Sequence, residues 1–168
     1  GSFFFFFLDV DFLMEMGKEI ARLFSEEKIT KILTVEASGI AIAVAAGAAM
    51  HIPAIFAKKH RTSNISTDVY KTVVHSYTHN TDYNIVVSEE YLSKDDRVLI
   101  VDDFLANGLA VEGLIDIVNQ AGATVVGAAI AIEKGFQRGG AALREKGVRV
   151  ESLAIIESMD DTSITFRK

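Results

Sequence analysis

At 168 residues, 49% hydrophobic and 24% charged, the chain can bury a substantial core and has the composition of one globular domain, not of a disordered segment. Its 17 basic residues are outnumbered by 23 acidic ones, for a formal charge of -6, which argues against a surface built for nucleic acid. The absence of cysteine excludes disulfides, thiolate metal sites and a cysteine nucleophile, and fits a cytoplasmic setting.

In chain order, Phe3 to Phe7 is a homopolymer behind Gly1-Ser2 and reads as a tag remnant or an uncertain stretch. No basic residue precedes it and no small-residue cleavage site follows, so it fits a signal peptide poorly. Residues 1–13 are therefore set aside, and one domain is expected over 14–168. From Asp11 to Ser25 the apolar residues Phe12, Met16, Ile20, Leu23 and Phe24 trace a helical stripe. Lys31 to Val35 reads as a strand and Ser38-Gly39 as a turn. The alanine-rich Ile40 to Met50 reads as a buried helix that stops before Pro53, well short of the ~20 apolar residues of a membrane span. Ala54 to Ala57 is a second strand.

Lys58 to Tyr83 is polar, with scattered His, Thr, Ser and Asn, and is expected to form a functional loop or lid. Asn84 to Val87 and the region of Tyr91 are expected to form a hairpin arm around it. Beyond it, Arg97 to Val101 is a strand and Leu109 to Gln120 a helix ended by Ala121-Gly122. Thr124 to Ile132 is a strand, Ala141 to Lys146 a helix, and Val148 to Ile156 a strand; Glu157 to Asp161 reads as a solvated turn. The later strands are near-continuous apolar runs, as in a parallel sheet buried on both faces. The expectation is a single α/β domain with a mostly parallel, doubly wound sheet.

The chemistry concentrates in Val98 to Ala110, where an apolar run leads into Asp102 and Asp103, then a small-residue loop, then a helix. Adjacent carboxylates repel and lose hydration on burial, so a strand end does not gather them for stability. They suit the vicinal hydroxyls of a ribose, or a metal ion. Asn107 and Gly108 tolerate left-handed backbone, so the loop can turn amides inward, and the following helix adds its positive end. Together these features form a ribose-5-phosphate site. Acid pairs at strand ends are common, so the pair alone reads sooner as a strand end that caps the next helix; the whole arrangement reverses that preference.

With its four apolar residues, two acids and phosphate loop, Val98 to Ala110 resembles the phosphoribosyl pyrophosphate motif of type I phosphoribosyltransferases. The spelling Asp102-Asp-Phe-Leu-Ala-Asn-Gly108 is similar to the xanthine-specific bacterial branch of that family. Glu36-Ala-Ser-Gly-Ile40, Phe56-Ala-Lys-Lys-His60 and Ile132-Glu-Lys-Gly-Phe-Gln137 extend the resemblance, which runs from about Met14 to Phe166. It implies a small hood or flexible-loop region beside the sheet. It further implies that Asp102 and Asp103 bind the ribose hydroxyls as catalytic residues, and that Ala106, Asn107, Gly108, Leu109 and Ala110 hold the 5′-phosphate. Glu36, Ala37, Ser38 and Gly39, with Lys58 and Lys59, would receive pyrophosphate. Lys134, Phe104 and Phe136 would meet the purine, since a lysine only donates and suits an oxo group. The implied reaction moves the phosphoribosyl group to a 6-oxopurine, xanthine first. Magnesium is the cofactor, carried on the substrate phosphates with Asp103 possible only through water, and a homodimer is the assembly. In the branch, part of the base-binding hood lies ahead of the point that corresponds to Met14.

The residues also admit plainer readings. Ser38-Gly39 can be an ordinary strand-to-helix turn, Lys58 and Lys59 solvated surface, and His75 with His79 a polar lid surface in place of a metal pair. Two other functions compete with the enzyme. A sensor of phosphoribosyl pyrophosphate that regulates purine genes would keep the ligand without catalysis, but the chain has no room for a DNA-binding module. A receiver-type α/β domain would use Glu36 as a third acid, leaving the Asn107-Gly108 loop without a task.

Overall fold

The computed structural model describes residues 8–60 and 66–168. The Phe3 to Phe7 run lies outside the described residues, as does 61–65 of the polar segment. Helix α1, Val10–Leu23, begins where the Asp9 carboxylate accepts a hydrogen bond from the Phe12 amide at 3.0 Å. Its buried residues Leu13, Met16, Gly17 and Ile20 recur at helical spacing, whereas Phe12 is left half-exposed. After β1, Lys31–Val35, comes α2, Gly39–Met50, which crosses α1 at Gly17. A Cβ on Gly17 would stand 2.5 Å from the Ala45 carbonyl carbon and 2.9 Å from the Ala46 nitrogen, so the crossing is backbone on backbone. His51 closes α2 with a left-handed turn just ahead of Pro53.

The chain continues through β2 (Ala54–His60), β3 (Val69–Ser76), β4 (Thr81–Ser88), β5 (Arg97–Leu105) and α3 (Leu109–Gln120). It closes with β6 (Thr124–Lys134), α4 (Gly139–Glu145), β7 (Val150–Met159) and β8 (Ile164–Phe166). The strands described form one sheet in the order β3-β4-β2-β1-β5-β6-β7-β8. The central pairs β2-β1, β1-β5, β5-β6 and β6-β7 are parallel; β3-β4, β4-β2 and β7-β8 are antiparallel. This is the expected α/β domain with a mostly parallel sheet.

Both faces of the sheet are covered, and successive residues of β5 show it. Val98 and Ile100 join a core cluster with Val111, Leu114 and Ile117 of α3; Leu99 and Val101 join one with Ile20, Ile42 and Ala46 of α1 and α2. No described helix is long and apolar enough to cross a membrane.

Three expectations need correction. The polar segment Lys58 to Tyr83 is for the most part not a loop: Lys58 to His60 complete β2, and Val69 onward forms a regular hairpin that runs on through β4. The hairpin is the sheet edge: one face, with Val74, Ile85 and Val87, enters the core, while the other mixes Lys71, His75, Asp82 and Asn84 with Val73 and the buried Val86. Tyr91 lies on a short 3-10 turn, not in a hairpin arm. Glu157 to Met159 extend β7, held there by antiparallel β8, so only the end of that acidic stretch is a turn.

Candidate active site

From β1 the sheet grows to β2 on one side and to β5, β6 and β7 on the other, so the crevice at the carboxyl ends of β1 and β5 is a topological switch point, where α/β sheets bind ligands. The β1–β5 pairing ends at Leu33 and Ile100, while β5 stays paired with β6 as far as Leu105. Asp102, Asp103 and Phe104 therefore belong to a strand hydrogen-bonded on one side only, rather than to a loop.

Asp102 and Asp103 are each only 7% exposed. The Asp103 amide donates to Asp102 Oδ1 at 2.9 Å, and the Phe104 amide to Asp103 Oδ1 at 2.9 Å. Neither carboxylate has a salt-bridge partner among the described residues. Burial, then the hydrogen bond and charge of Asp103, push the Asp102 carboxyl well above its usual range; the Lys59 charge opposes them. The site thus holds an excess of acceptor oxygen that a polyol or a hydrated cation would satisfy.

Glu36 to Gly39 bend from β1 into α2 directly against this pair. A Cβ on Gly39 would lie 3.0 Å from Asp102 Oδ1 and would collide with the hydroxyl of Thr34. Thr34 Oγ1 is itself buried without a hydrogen-bond partner among the described residues. The Glu36–Ala37 peptide is cis. Glu36 Oε1 accepts from the Lys59 amide at 2.7 Å, which ties the loop to β2. Lys59 lines a polar cavity of about 750 Å³ with Ser76, Thr78, His79 and Tyr83. Lys58 is not brought together with it: one residue along a strand faces the other way, and Lys58 lines an apolar cavity of about 530 Å³ with Phe56, Val86 and Tyr91. His75 Nδ1 is 2.7 Å from Asp82 Oδ1, across the hairpin register.

The loop Ala106 to Gly108 enters α3 through Gly108 in left-handed conformation (φ 81°), as Asn-Gly predicts. Asn107 Oδ1 accepts from the Leu109 amide at 3.0 Å, holding a position that an anion at this helix start could take. The loop is backed by Gly139, whose amide donates to the Ala106 carbonyl at 3.0 Å. A Cβ there would lie 2.6 Å from the Gly108 nitrogen and closer still to the Ala106 oxygen.

Lys134 ends β6 and Phe136 follows in the turn, 47% exposed; Phe104 is half-buried beside Ile132 in the sheet. The preceding Glu133 is 2% exposed, bound by both Arg144 nitrogens at 2.8 Å and by the Ser152 hydroxyl at 2.6 Å. Burial would raise its carboxyl, but those hydrogen bonds and the Arg144 charge outweigh it and hold it below the usual range. Thr34, Tyr83, Gly139 and the Glu133–Arg144 pair escape a reading of the sequence. Of these only the Gly139-Gly140 doublet leaves a local signal.

Known proteins with this sequence and shape can be set against that geometry. The sequence model of the phosphoribosyl transferase domain matches residues 10–162. A xanthine phosphoribosyltransferase of Lachnoclostridium phytofermentans is 51% identical over 162 residues, covering 95% of this chain and 84% of that protein. One of Heliobacterium modesticaldum is 53% identical over 159 residues, covering 95% and 84%. Among solved structures, an adenine phosphoribosyltransferase from Trypanosoma brucei, in complex with AMP, pyrophosphate and ribose-5-phosphate, superposes with a TM-score of 0.77 at 18% identity, covering 91% of this chain and 68% of that one. The enzyme of that name from Thermoanaerobacter pseudethanolicus gives 0.74 at 19% identity, covering 88% and 81%. At those identities the superpositions establish the fold.

Proposed function

The chain belongs to the phosphoribosyltransferase family, and from that premise we propose that it transfers the 5-phosphoribosyl group of phosphoribosyl pyrophosphate to xanthine, giving XMP and pyrophosphate. The observation that carries this reading is the buried Asp102–Asp103 pair, without a salt-bridge partner among the described residues, between the Glu36 to Gly39 turn and the Gly108 loop. Relatives about half identical to the chain and named for xanthine support the choice of base.

In the reaction the bond from ribose C1 to the pyrophosphate oxygen breaks, a purine ring nitrogen bonds to C1, and the proton that nitrogen carried is released to solvent or to the departing pyrophosphate. Asp102 and Asp103 hold the ribose hydroxyls, which donate to their carboxylate oxygens. The amides of Ala106 to Ala110 and the start of α3 hold the 5′-phosphate, with Leu109 released from Asn107. Negative charge grows on the leaving pyrophosphate, which Lys59 and the backbone of Ala37 to Gly39 would receive. Lys134 donates to an exocyclic oxygen of the base and Phe136 or Phe104 stacks on it. The acceptor oxygens of the acid pair fit a magnesium ion that arrives with the substrate phosphates. Asp103 would meet it through water, and it would supply Lewis-acid stabilisation of the leaving group. The β3–β4 hairpin, with its polar turn at Thr78 and His79, limits water at the reacting carbon. The cytoplasmic setting and a homodimeric assembly complete the proposal, the second checked by light scattering.

The test is nucleotide formation from phosphoribosyl pyrophosphate, magnesium and each of xanthine, guanine, hypoxanthine and adenine. Xanthine is expected to lead. The double variant Asp102→Asn, Asp103→Asn is expected to lower turnover by roughly two to three orders of magnitude with its fold intact, the scale of losing a preorganised electrostatic contact. Near-normal turnover by that variant would overturn the assignment.

A further inference from the structure

Lys59 is fastened at two points that lie on different elements. Its backbone amide is held by the Glu36 carboxylate at 2.7 Å, and its ammonium stands 5.2 Å from the centre of the Tyr83 ring. Sheet register explains the second contact. Lys59 pairs with Ile85 across β2 and β4, and Tyr83 lies two residues from Ile85 on the same face, the diagonal position that long and aromatic side chains bridge. Tyr83 is held in the sheet, half-buried against the core and paired with Val74 in the hairpin. Its hydroxyl is harder to ionise than an ordinary phenol, first through burial and then through the charge of Asp102, which sets it near the acid pair. Ring and ammonium line one polar cavity with Ser76, Thr78 and His79.

A free lysine side chain loses much rotamer freedom when it binds an anion. The electron-rich face of an aromatic ring attracts an ammonium and can bear that ordering beforehand. We propose that Tyr83 is a positioning residue that pre-orients the Lys59 ammonium toward the leaving pyrophosphate, acting through its ring and not its hydroxyl. The inference rests on the role given to Lys59 above and adds a residue that no local motif marks.

The experiment compares the parent with Tyr83→Phe, Tyr83→Leu, Lys59→Met and the double variant Tyr83→Leu, Lys59→Met. Calorimetry with inorganic pyrophosphate and magnesium gives binding, and steady-state kinetics gives KM for phosphoribosyl pyrophosphate and for xanthine. Tyr83→Leu is expected to weaken pyrophosphate binding and raise the donor KM by roughly three- to tenfold, the scale of a cation–π contact. Its kcat should fall by no more than the same factor and its KM for xanthine should stay within about twofold, a split between the two substrates that general loosening of the fold would not produce. Tyr83→Phe should restore the parent values. With Lys59 already replaced, Tyr83→Leu should cost nothing more. Unchanged binding in Tyr83→Leu, an equal loss without Lys59, or failure of Tyr83→Phe to rescue each overturns the proposal. Where Tyr83→Leu does not fold, Tyr83→Met takes its place. If the parent turns over no purine, the enzymatic reading fails, and pyrophosphate calorimetry still decides the part of Tyr83. If the parent binds no pyrophosphate, the role of Lys59 falls and the inference with it.

Discussion

Glu133 shows how much a single buried charge depends on its company. Its carboxylate is almost fully enclosed at the end of β6, one residue before Lys134, and survives there because Arg144 grips both oxygens and Ser152 donates a third hydrogen bond. The folded carboxyl gives up its proton more easily than an ordinary glutamate, whose value is about 4.3. The stability it contributes is therefore complete above that range and is lost as pH falls through the lower folded value. Denaturant unfolding of the parent is expected to weaken more steeply from pH 5 to pH 3 than that of Glu133→Gln. The variant itself should be less stable by about 1–3 kcal/mol at neutral pH, the cost of spoiling hydrogen bonds to a buried charged group. Parallel pH dependences in the two proteins would remove Glu133 from the acid response.

At the level of elements, α4 matters less for its length than for where its first residue sits. Gly139 leaves no space between α4 and the Ala106 to Gly108 loop, and the atoms a side chain would meet are backbone, which cannot swing aside. Gly139→Ala is expected to cost about 1–3 kcal/mol in stability by overpacking and to weaken binding of phosphoribosyl pyrophosphate by shifting the loop. Thermal unfolding and calorimetry check the two parts, and unchanged donor affinity would mean the loop is not set by this contact. No property of Gly139 in sequence indicates the contact, because it joins segments that only the fold makes neighbours. The same reason separates what was legible from what was not. Lys31 to Val35 and Leu109 to Gln120 were readable to the residue, since apolar pattern and flanking breakers are local. The acids after Val101 suggested a strand end, yet pairing with β6 carries β5 on to Leu105. The β3–β4 hairpin looked like a loop because one face stays mostly polar at the sheet edge, and β8 is short and exposed. In the site, Asp102 to Ala110 and Glu36 to Gly39 were legible as strings. Tyr83 was not, since its proximity to Lys59 is set by strand register, and neither was Thr34, which meets Gly39 only because the turn after β1 folds back on the strand.

Across the whole molecule, one strand ties the site to stability. β5 supplies Val98 and Ile100 to one core and Leu99 and Val101 to the other, then presents Asp102 and Asp103 in the crevice where its pairing with β1 has ended. A ligand gripping those acids therefore binds the folded chain and not the unfolded one, because the crevice is built by elements that only the fold brings together. Binding and unfolding are linked by mass action: a ligand at one hundred times its Kd adds about 2.7 kcal/mol. For a domain of this size each kcal/mol moves Tm by roughly 2–4 °C, so phosphoribosyl pyrophosphate with magnesium should raise Tm by roughly 5–10 °C. The Asp102→Asn, Asp103→Asn variant should show little of that rise at the same concentration. Glu133→Gln should start from a lower Tm and keep the rise in full, since its loss lies in the scaffold. A full shift in the aspartate variant would place the donor elsewhere on the molecule, and a missing shift in Glu133→Gln would make that ion pair part of the binding site.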